Sequence, residues 1–329
     1  MARRNAETPE PPPEEEMPPP PGENTAPPSE EPAAPPAPRR ASAPSEAPTA
    51  ESSVSLLRDR RIGIIGVGAM GSALCRGLIH ADAAPANKIV VSDPHGGHVQ
   101  ELHRTLGVRV ADSNVQVAKY TDIIVLAIKP YNVGAVLDEI ADSLKREGGK
   151  PAPLVICIAA GVPVAKVEAA LKEPIPVIRA MPNTPAQVGK GACAFCRGTY
   201  ADDTHMAQAG EIFKAVGIAV EVPESMMDAV TALSGSGPAY IYLMIEALVD
   251  GGVRAGLPRE IASQLAAQTV LGAAQMVIET GMHPAQLRDM VTTPAGTTIE
   301  AIAALEHSGL RAALIDAVGK AASRSRELA

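Results

Sequence analysis

The sequence is poor in aromatic residues. It has no tryptophan, two phenylalanines and five tyrosines, so aromatic residues make up 2% of its 329 positions. Proteins that bind single-stranded nucleic acid need aromatic side chains on which bases stack. The formal net charge of −8 argues the same way, because phosphate backbones are bound by basic surfaces. We therefore expect no nucleic-acid partner, and a core built from aliphatic side chains.

Cysteines and long apolar runs are also scarce. Four cysteines in a chain of this length do not make a disulfide framework, and they indicate a reducing compartment. No uninterrupted apolar run approaches the roughly 20 residues that a membrane-spanning helix needs. We expect a soluble cytoplasmic protein with no membrane partner, with the mitochondrion and the plastid left open.

Proline and glutamate are concentrated at the N-terminus. Residues 1–50 hold 16 of the 31 prolines, and residues 1–55 carry four Arg and ten Glu, a net charge of −6. Such a segment buries too little apolar surface to offset the entropy lost on ordering. We predict a disordered tail over residues 1–57, with the change of composition near Val54. Its proline runs leave open a ligand for a polyproline-binding domain.

The rest of the chain alternates short β-branched runs with segments of helical length. Seven runs are predicted as strands: Ile62–Ile65, Ile89–Val91, Ile123–Ile128, Leu154–Ile158, Val177–Ala180, Gly191–Phe195 and Ala219–Val222. Helices are predicted at Ala69–His80, Val99–Leu106, Val133–Leu144, Ala239–Val253, Ile261–Glu279, Thr298–Ala304 and from Arg311 onward. Apolar runs separated by helices are typical of a buried parallel sheet. We predict an α/β fold, with a Rossmann-type doubly wound parallel sheet over residues 58–225 and an all-helical domain over residues 226–329.

The first strand leads directly into Gly66-Val67-Gly68-Ala69-Met70-Gly71, which opens a helix. This is the G-x-G-x-x-G fingerprint of dinucleotide binding in its required position between a strand and a helix. Gly66 permits the tight turn, Gly68 lets the backbone approach a pyrophosphate, and Gly71 allows close packing of the helix. The amides at the start of the helix then receive the negative charge.

Asp93 stands at the end of the second strand, 22 residues past Gly71. An acid at about this spacing accepts the ribose 2′-hydroxyl of NAD, and no arginine stands beside it to hold a 2′-phosphate. The residue favours NADH over NADPH. An aspartate that caps a helix or forms a turn before Pro94 is the alternative.

Cys193 and Cys196 have the C-x-x-C spacing of redox and zinc motifs. No second pair of soft ligands stands at the spacing of a zinc finger, so we interpret both as small core residues of a strand. The seven histidines show no metal-like spacing either, and no metal is expected. His95 and His98 fall near the ribose end of the predicted cofactor site.

A loop rich in hydroxyl groups precedes a predicted helix. It reads Thr292-Thr293-Pro294-Ala295-Gly296-Thr297-Thr298. Backbone N–H groups at a helix start together with threonine hydroxyls suit a small carboxylate. A capped helix start explains the same pattern equally well.

Taken in order, these segments resemble the pyrroline-5-carboxylate reductase family, whose members catalyse the last step of proline synthesis. The resemblance covers roughly Arg61 to Leu328. It is carried by Ile65–Gly71, Ala127–Pro130, Ala159–Gly161, Arg179–Pro185, Leu233–Tyr240 and Val291–Thr298 with the helix that follows to Glu306.

The resemblance implies roles for individual residues. The pyrophosphate would be held by the backbone of Ile65, Gly66, Val67, Gly68, Ala69 and Met70, and the adenosine side by Asp93 and Asn114. The nicotinamide half would be lined by Ile128, Lys129, Pro130, Ala159, Ala160 and Gly161. The substrate would be bound by Thr293, Gly296, Thr297 and Thr298, with Thr298 as the catalytic hydroxyl at the ring nitrogen.

The resemblance also implies a reaction and an assembly. Hydride would pass from NADPH or NADH to the C=N of 1-pyrroline-5-carboxylate and give L-proline, without a metal. In the family the substrate loop belongs to the partner subunit, which implies a homodimer with a shared active site and, often, a decamer.

Two residues depart from the family pattern. Asp93 stands where relatives often carry Ser or a basic stretch, and Met290 stands where some members carry an Asn that reaches the cofactor.

Three alternatives remain open from the sequence. A β-hydroxyacid-dehydrogenase relative would carry a catalytic lysine on the first long helix of the second domain, whereas Tyr240–Arg254 contains none. An imine reductase that acts on a six-membered ring or on a non-physiological amine is also left open, because pocket size cannot be read from a sequence. A non-catalytic NAD(P)-sensing or scaffold protein would bind the cofactor without oxidising it.

Overall fold

The computed structural model describes residues 55–145 and 151–328. The segment 1–54 of the predicted tail lies outside the described residues. Residues 55–57, which we assigned to the tail, belong instead to the folded body. Leu57 is fully buried, and the Ser55 hydroxyl donates to the Ala83 carbonyl at 2.9 Å. Two leucines beside a highly charged run carry too weak a signal to be separated from the tail by composition.

Eight strands form one sheet in the order β3-β2-β1-β4-β5-β6-β7-β8. The strands are β1 Ile62–Ile65, β2 Ile89–Ser92, β3 Arg109–Val110, β4 Ile123–Leu126, β5 Leu154–Cys157, β6 Val177–Met181, β7 Gly191–Arg197 and β8 Gly217–Glu221. The first six strands are parallel in the Rossmann order, which confirms the predicted fold class.

The last two strands run in the opposite direction. Strand β7 pairs antiparallel with β6, and β8 pairs parallel with β7. Strand β6 ends at Met181 and β7 begins at Gly191. A parallel crossover needs a dozen or more residues, so a connection this short returns the chain in the antiparallel direction. The predicted doubly wound parallel sheet is therefore extended at this edge by two strands of the opposite direction, which the sequence did not indicate.

Helices cover both faces of the sheet. The helices of this part are α1 Ala69–His80, α2 Gly96–Leu106, α3 Asn114–Tyr120, α4 Val133–Ile140, α5 Val164–Leu171 and α6 Asp203–Lys214. Helices α1, α2 and α6 share one apolar core with the sheet, and α3, α4 and α5 share the other. Strands β1, β4 and β5 are buried along their whole length, which explains why they read as continuous apolar runs.

The C-terminal part of the described chain is helical. Its helices are α7 Met227–Val230, α8 Gly237–Arg254, α9 Arg259–Thr280, α10 Pro284–Met290, α11 Thr297–His307 and α12 Leu310–Leu328, with a π-helical turn at Thr231–Gly235. Helices α8 and α9 bury a small cluster formed by Val249, Ala262 and Ala266.

Much of the apolar surface of these helices stays exposed in the single chain. Leu243 is 68% exposed and Ile278 is 81% exposed. By length and composition alone, the helical segments Glu224–Arg254 and Arg259–Thr280 could cross a membrane, and their most apolar windows are 11% and 6% buried in the single chain. Neither segment is an uninterrupted apolar run, because small and polar residues interrupt both. The apolar faces of these helices are therefore not buried within one chain.

Candidate active site

The glycine-rich turn has the backbone geometry that its sequence predicts. Gly66 has φ +92°, in the left-handed region, and a Cβ there would lie 2.6 Å from the Ala127 carbonyl oxygen. A Cβ on Gly71 would overlap the Gly66 carbonyl, whereas a Cβ on Gly68 would meet nothing within 4 Å. The first glycine thus serves the turn and the third serves helix packing, while the second leaves open space for a ligand.

Helix α1 begins directly after this turn. Its N-cap is Gly68, and no side chain caps it. The Ser72 hydroxyl donates to the Val67 carbonyl at 2.7 Å and steadies the turn. The first amides of α1 therefore point toward open space at the positive end of the helix, which is the arrangement that receives a phosphate.

Asp93 is joined to the glycine-rich turn. Its Oδ2 accepts a hydrogen bond from the Val67 amide at 2.9 Å, and its Oδ1 accepts one from the His95 amide at 2.8 Å. The His95 ring lies 3.2 Å from the same Oδ1. Desolvation alone would raise the pKa of Asp93, but the amides of His95 and Val67, with the His95 ring, hold that pKa below its ordinary value. The carboxylate is thus ionised beside the turn, and it also makes the local turn contact that was the alternative interpretation.

Asn114 is bonded to Ser92, the last residue of β2 and the one before Asp93. The Ser92 hydroxyl donates to Asn114 Oδ1 at 2.8 Å, and Asn114 Nδ2 donates to Glu139 Oε2 at 2.8 Å. Ser113 caps helix α3 by accepting from the Gln116 amide. The structure therefore brings the two predicted adenosine-side residues together and adds Glu139, which no sequence motif marks.

The predicted nicotinamide-side residues follow β4 and β5. Because these strands are parallel to β1, both loops lie at the same edge of the sheet as the glycine-rich turn. A Cβ on Gly66 would come within 2.7 Å of the Ile128 side chain, so the glycine-rich turn and the loop after β4 are in contact. Gly161 has φ +73°, and the end of α12 at Leu328 approaches it. The carboxyl edge of a doubly wound sheet is where such folds bind their ligands.

An ion pair between a buried arginine and a partly exposed glutamate ties this edge to the start of the helical segment. Arg179 Nη1 lies 3.1 Å from Glu224 Oε1, and the arginine side chain is only 7% exposed. The same carboxylate oxygen accepts the Val164 amide at 2.8 Å. Glu224 thus joins strand β6 to the first residue of α5, three residues past Gly161. Its role is visible only once the strand register is known, because no spacing in the sequence marks it.

The cysteines are core residues, as we interpreted the C-x-x-C pair. Cys193 and Cys196 are buried in β7, and all four cysteines are free thiols. Burial raises the pKa of Cys193 and raises that of Cys196 to about 11. Thiols held protonated in this way are poor nucleophiles and poor metal ligands. Among the described residues no group of three or more His, Cys, Asp or Glu could hold a metal ion.

Asn183 connects the sheet to the π-helical turn. Its Nδ2 donates to the Ser234 carbonyl at 3.0 Å, and its Oδ1 accepts from the Ala192 amide at 2.8 Å. The residue is buried. π-Helical turns interrupt regular helices at functional sites more often than elsewhere. Asn183 fixes this turn relative to β7.

The threonine-rich loop joins α10 to α11. Its Thr293 carbonyl accepts the Gly296 amide at 3.0 Å, which closes a four-residue turn with Pro294 second and Ala295 third. A Cβ on Gly296 would overlap the Thr293 hydroxyl. Helix α11 then begins at Thr297. Its N-cap is Gly296, and no side chain caps the helix. The loop therefore offers uncapped amides and hydroxyls together.

This loop and the carboxyl edge of the sheet are not joined within one chain. Over the described ranges, no hydrogen bond or ion pair links residues 291–298 to the glycine-rich turn or to the loops after β4 and β5. The predicted cofactor residues thus lie together at one edge, while the predicted substrate residues lie on a separate, exposed loop.

The sheet order, the glycine-rich turn and the acid beside it define a Rossmann-type dinucleotide-binding protein with a helical C-terminal part. The family described as "NADP oxidoreductase coenzyme F420-dependent" matches residues 61–161. The family described as "Pyrroline-5-carboxylate reductase dimerisation" matches residues 224–328.

Whole-chain comparisons agree with these matches. The pyrroline-5-carboxylate reductase of Methanosarcina acetivorans is 48% identical over 83% of this chain and 99% of its own length. That of Arabidopsis thaliana is 42% identical over 82% of this chain and 95% of its own length. A solved pyrroline-5-carboxylate reductase from Coxiella burnetii superposes with a TM-score of 0.77 at 38% identity, over 82% of this chain and 98% of that one. The chain belongs to the pyrroline-5-carboxylate reductase family, which confirms the resemblance found in the sequence.

Proposed function

We propose that this chain reduces 1-pyrroline-5-carboxylate to L-proline with a nicotinamide cofactor. The observation that carries the proposal is the joint presence of two sites. One is a glycine-rich turn with open space at Gly68, and the other is an intact Thr293–Thr298 loop with uncapped amides. A chain that only sensed the cofactor would have no use for the second.

The residues at the carboxyl edge fit a dinucleotide. The amides that open α1 would hold the pyrophosphate, together with the backbone from Ile65 to Met70. The adenosine side would lie at Asp93 and Asn114, and the nicotinamide half would lie along Ile128–Pro130 and Ala159–Gly161. When bound, the nicotinamide supplies the hydride, and the protein supplies orientation and electrostatics.

The threonine-rich loop would hold the substrate. Of the amides assigned to its carboxylate, that of Gly296 already donates to the Thr293 carbonyl within the single chain, whereas that of Thr297 opens α11, where no side chain caps the helix. The Thr298 hydroxyl suits the ring nitrogen. A protonated cyclic imine is already electrophilic at neutral pH, so the site needs positioning rather than a strong base. The absence of a histidine or a carboxylate pair from residues 291–298 is in keeping with this chemistry.

The role of Thr298 can be tested by substitution. We expect Thr298→Ala to lower kcat/KM roughly ten- to thousandfold, the range for removal of one transition-state hydrogen bond. Thr292→Ala is the matched control, because the Thr292 hydroxyl already donates to the Arg288 carbonyl at 2.7 Å. Equal kinetics for Thr298→Ala and the wild type would remove Thr298 from the mechanism.

We propose NADH as the preferred cofactor. Asp93 is held ionised beside the turn, and Glu139 is tied to Asn114 on the same side. No Lys or Arg occurs from Ser92 to Gln100 to pair with a 2′-phosphate. The ratio of kcat/KM for NADH to that for NADPH tests this preference, and Asp93→Ser should shift the ratio toward NADPH. A wild-type preference for NADPH would contradict it.

We also propose that a second copy of the chain covers the exposed helices and completes the site. The apolar segments Glu224–Arg254 and Arg259–Thr280 fall within the region matched by the dimerisation family, which favours a second copy over lipid. The separation of the threonine-rich loop from the carboxyl edge within one chain supports a site shared between subunits. Further assembly of dimers into a decamer would follow the family. The four free thiols favour a reducing compartment such as the cytoplasm.

Complementation tests the shared site directly. Gly68→Glu places a charged side chain in the space assigned to the cofactor, at a position where a Cβ meets nothing within 4 Å, and Thr298→Ala weakens the loop. In a mixed dimer of these two variants, a shared arrangement restores one intact site of two. A randomly reassociated equimolar mixture should then regain about a quarter of wild-type activity. No recovery from a mixture proven to contain mixed dimers would contradict the shared site.

A further inference from the structure

A cavity of about 220 Å³ lies at the amino edge of the sheet, where the parallel strands begin. It is lined by Ile123 and Leu154, the first residues of β4 and β5, which pair in register. The glycine-rich turn follows the other end of β1, and a strand of four residues is about 13 Å long. A ligand in this cavity would therefore lie apart from the residues assigned to the cofactor.

Gln208 is a buried amide that lines this cavity. It lies on α6 and is 5% exposed. Over the described ranges its side chain makes no hydrogen bond, yet every fully buried side-chain nitrogen or oxygen has a partner. The Gln208 amide is therefore open to the cavity rather than enclosed by protein. A buried amide without a partner costs free energy, so its presence here indicates that something else satisfies it.

Two neighbours on α6 line the same cavity. Thr204 and His205 stand four and three residues before Gln208, so the three side chains share one face of the helix. His205 is already engaged, because its ring Nδ1 lies 2.7 Å from Asp202 Oδ1 and its amide donates to that oxygen at 2.9 Å. Asp202 and His205 thus cap α6, and the Gln208 amide and the Thr204 hydroxyl are left to bind a ligand.

The cavity also holds one charge of each sign. The Arg60 guanidinium lines it and forms no ion pair within the part of the chain that the structure describes. Asp122 lines it as well, and its Oδ2 accepts the Arg61 amide at 2.8 Å and lies 3.8 Å from Arg61 Nε. Among the described residues nothing is hydrogen-bonded to the other carboxylate oxygen, Oδ1.

This set of groups selects the charge of a ligand. A simple anion would be attracted by Arg60 but repelled by the carboxylates of Asp122 and Asp202, and a simple cation would be repelled by Arg60. A molecule that carries both charges can pair its carboxylate with the guanidinium and its ammonium group with Asp122. The amide of Gln208 suits either end, because it both donates and accepts hydrogen bonds.

We infer that the cavity at the amino edge is a second binding site, and that it takes a small zwitterionic amino acid. Arg60 binds the carboxylate, Asp122 binds the ammonium group, and Gln208 supplies the buried hydrogen bond. At about 30 Å³ for each water molecule, the volume equals that of about seven waters, which admits a molecule of similar heavy-atom count. The inference goes beyond the proposed function and does not depend on it, because it concerns the opposite edge of the sheet.

Titration of the full-length protein with L-alanine tests this site, with saturation-transfer NMR on the L-alanine methyl group as the readout. Neither imine nor cofactor is added, so the result is independent of the reductase activity. Propionate lacks the ammonium group and ethylamine lacks the carboxylate, and both carry the same alkyl chain length or less. We expect L-alanine to bind, and each of the other two to bind about tenfold more weakly or worse.

Two variants assign the binding to this cavity. Gln208→Met keeps the length of the side chain and removes the amide, and Arg60→Gln removes the guanidinium. Each should weaken L-alanine binding about tenfold, the loss that follows from one hydrogen bond to a charged group. Arg58→Gln is the matched control, because Arg58 is exposed in the same segment and does not line the cavity. In urea unfolding, Gln208→Met should be no less stable than the wild type, because it buries no unpaired amide.

Three results would overturn the inference. The first is the absence of L-alanine binding to the wild type. The second is equal affinity of the wild type, Gln208→Met and Arg60→Gln, which would place the binding elsewhere. The third is binding of propionate or ethylamine as tight as that of L-alanine, which would exclude recognition of a zwitterion.

Discussion

The ion pair between Arg179 and Glu224 offers the sharpest test of how the fold supports the site. Glu224→Ala leaves the Arg179 guanidinium, with its side chain 7% exposed, without a carboxylate. It also removes the acceptor of the Val164 amide. Arg179 pairs in register with Cys157, which precedes the loop Ala159–Gly161, and Val164 follows that loop at the start of α5.

The magnitude follows from burial. Breaking a fully buried pair by removing one partner costs about 3–5 kcal/mol. The Glu224 side chain is 37% exposed, so water can reach the vacated position and the cost falls toward the lower end of that range. We expect a loss of about 3 kcal/mol of unfolding free energy, a large fraction of the roughly 5–15 kcal/mol typical of a protein.

Urea unfolding measures this loss. With a slope of about 3 kcal/mol per molar, the midpoint should fall by about 1 M. All variants must be compared at one protein concentration, because the stability of a dimer depends on it.

Glu221→Ala is the control. Glu221 pairs with Arg197 at 3.8 Å, and both side chains are about half exposed. Its removal should cost less than about 0.5 kcal/mol. The double variant Arg179→Met with Glu224→Ala should recover much of the lost stability, because it removes the unpaired buried charge. If Glu224→Ala costs no more than Glu221→Ala, the pair does not hold this edge together and our reasoning is wrong.

Two further predictions concern the cofactor edge. Gly71→Ala should weaken cofactor binding at least tenfold in a fluorescence titration, because its Cβ would overlap the Gly66 carbonyl, whereas Gly134→Ala, with open space around its Cβ, should bind normally. Equal affinity of the two variants would contradict the packing argument. The lowered pKa of Asp93 stabilises the fold above its unfolded-state pKa of about 3.9, and this contribution is lost as the pH falls through the lower folded-state pKa. As the pH falls from about 5 to about 2, the unfolding free energy of Asp93→Asn should therefore fall less than that of the wild type. Equal falls for the two proteins in urea titrations would show that Asp93 does not make this contribution.

Local patterns were sufficient for much of the fold. Helix α1 spans Ala69–His80 as predicted, and the fingerprint fixes where it starts. The buried strands were found from their continuous apolar runs. The reversal at β7 was missed, because strand direction depends on the length of a connection rather than on the residues of the strand. Helix α3 was missed because seven residues with two buried side chains carry little periodicity.

The residues of the site show the same difference between those that a local pattern marks and those that depend on distant partners. The glycine-rich turn and Asp93 were found because a short motif contains their chemistry. Glu139 and Glu224 were not found, since each acts through a partner that is distant in sequence: Asn114 is 25 residues away and Arg179 is 45 residues away. The positive φ of Ala295, +54°, is a backbone property that no composition reveals. We propose that a second copy of the chain brings the threonine-rich loop to the cofactor edge, and the pattern of one sequence does not contain such a contact.

The most direct test of the central claim is the fall in NADH and NADPH absorbance when the purified protein meets 1-pyrroline-5-carboxylate, with each cofactor tested separately. We expect rapid oxidation that depends on the imine, faster with NADH than with NADPH, and formation of one L-proline for each cofactor oxidised. A folded dimer that binds cofactor but oxidises neither form in the presence of the imine would contradict the account.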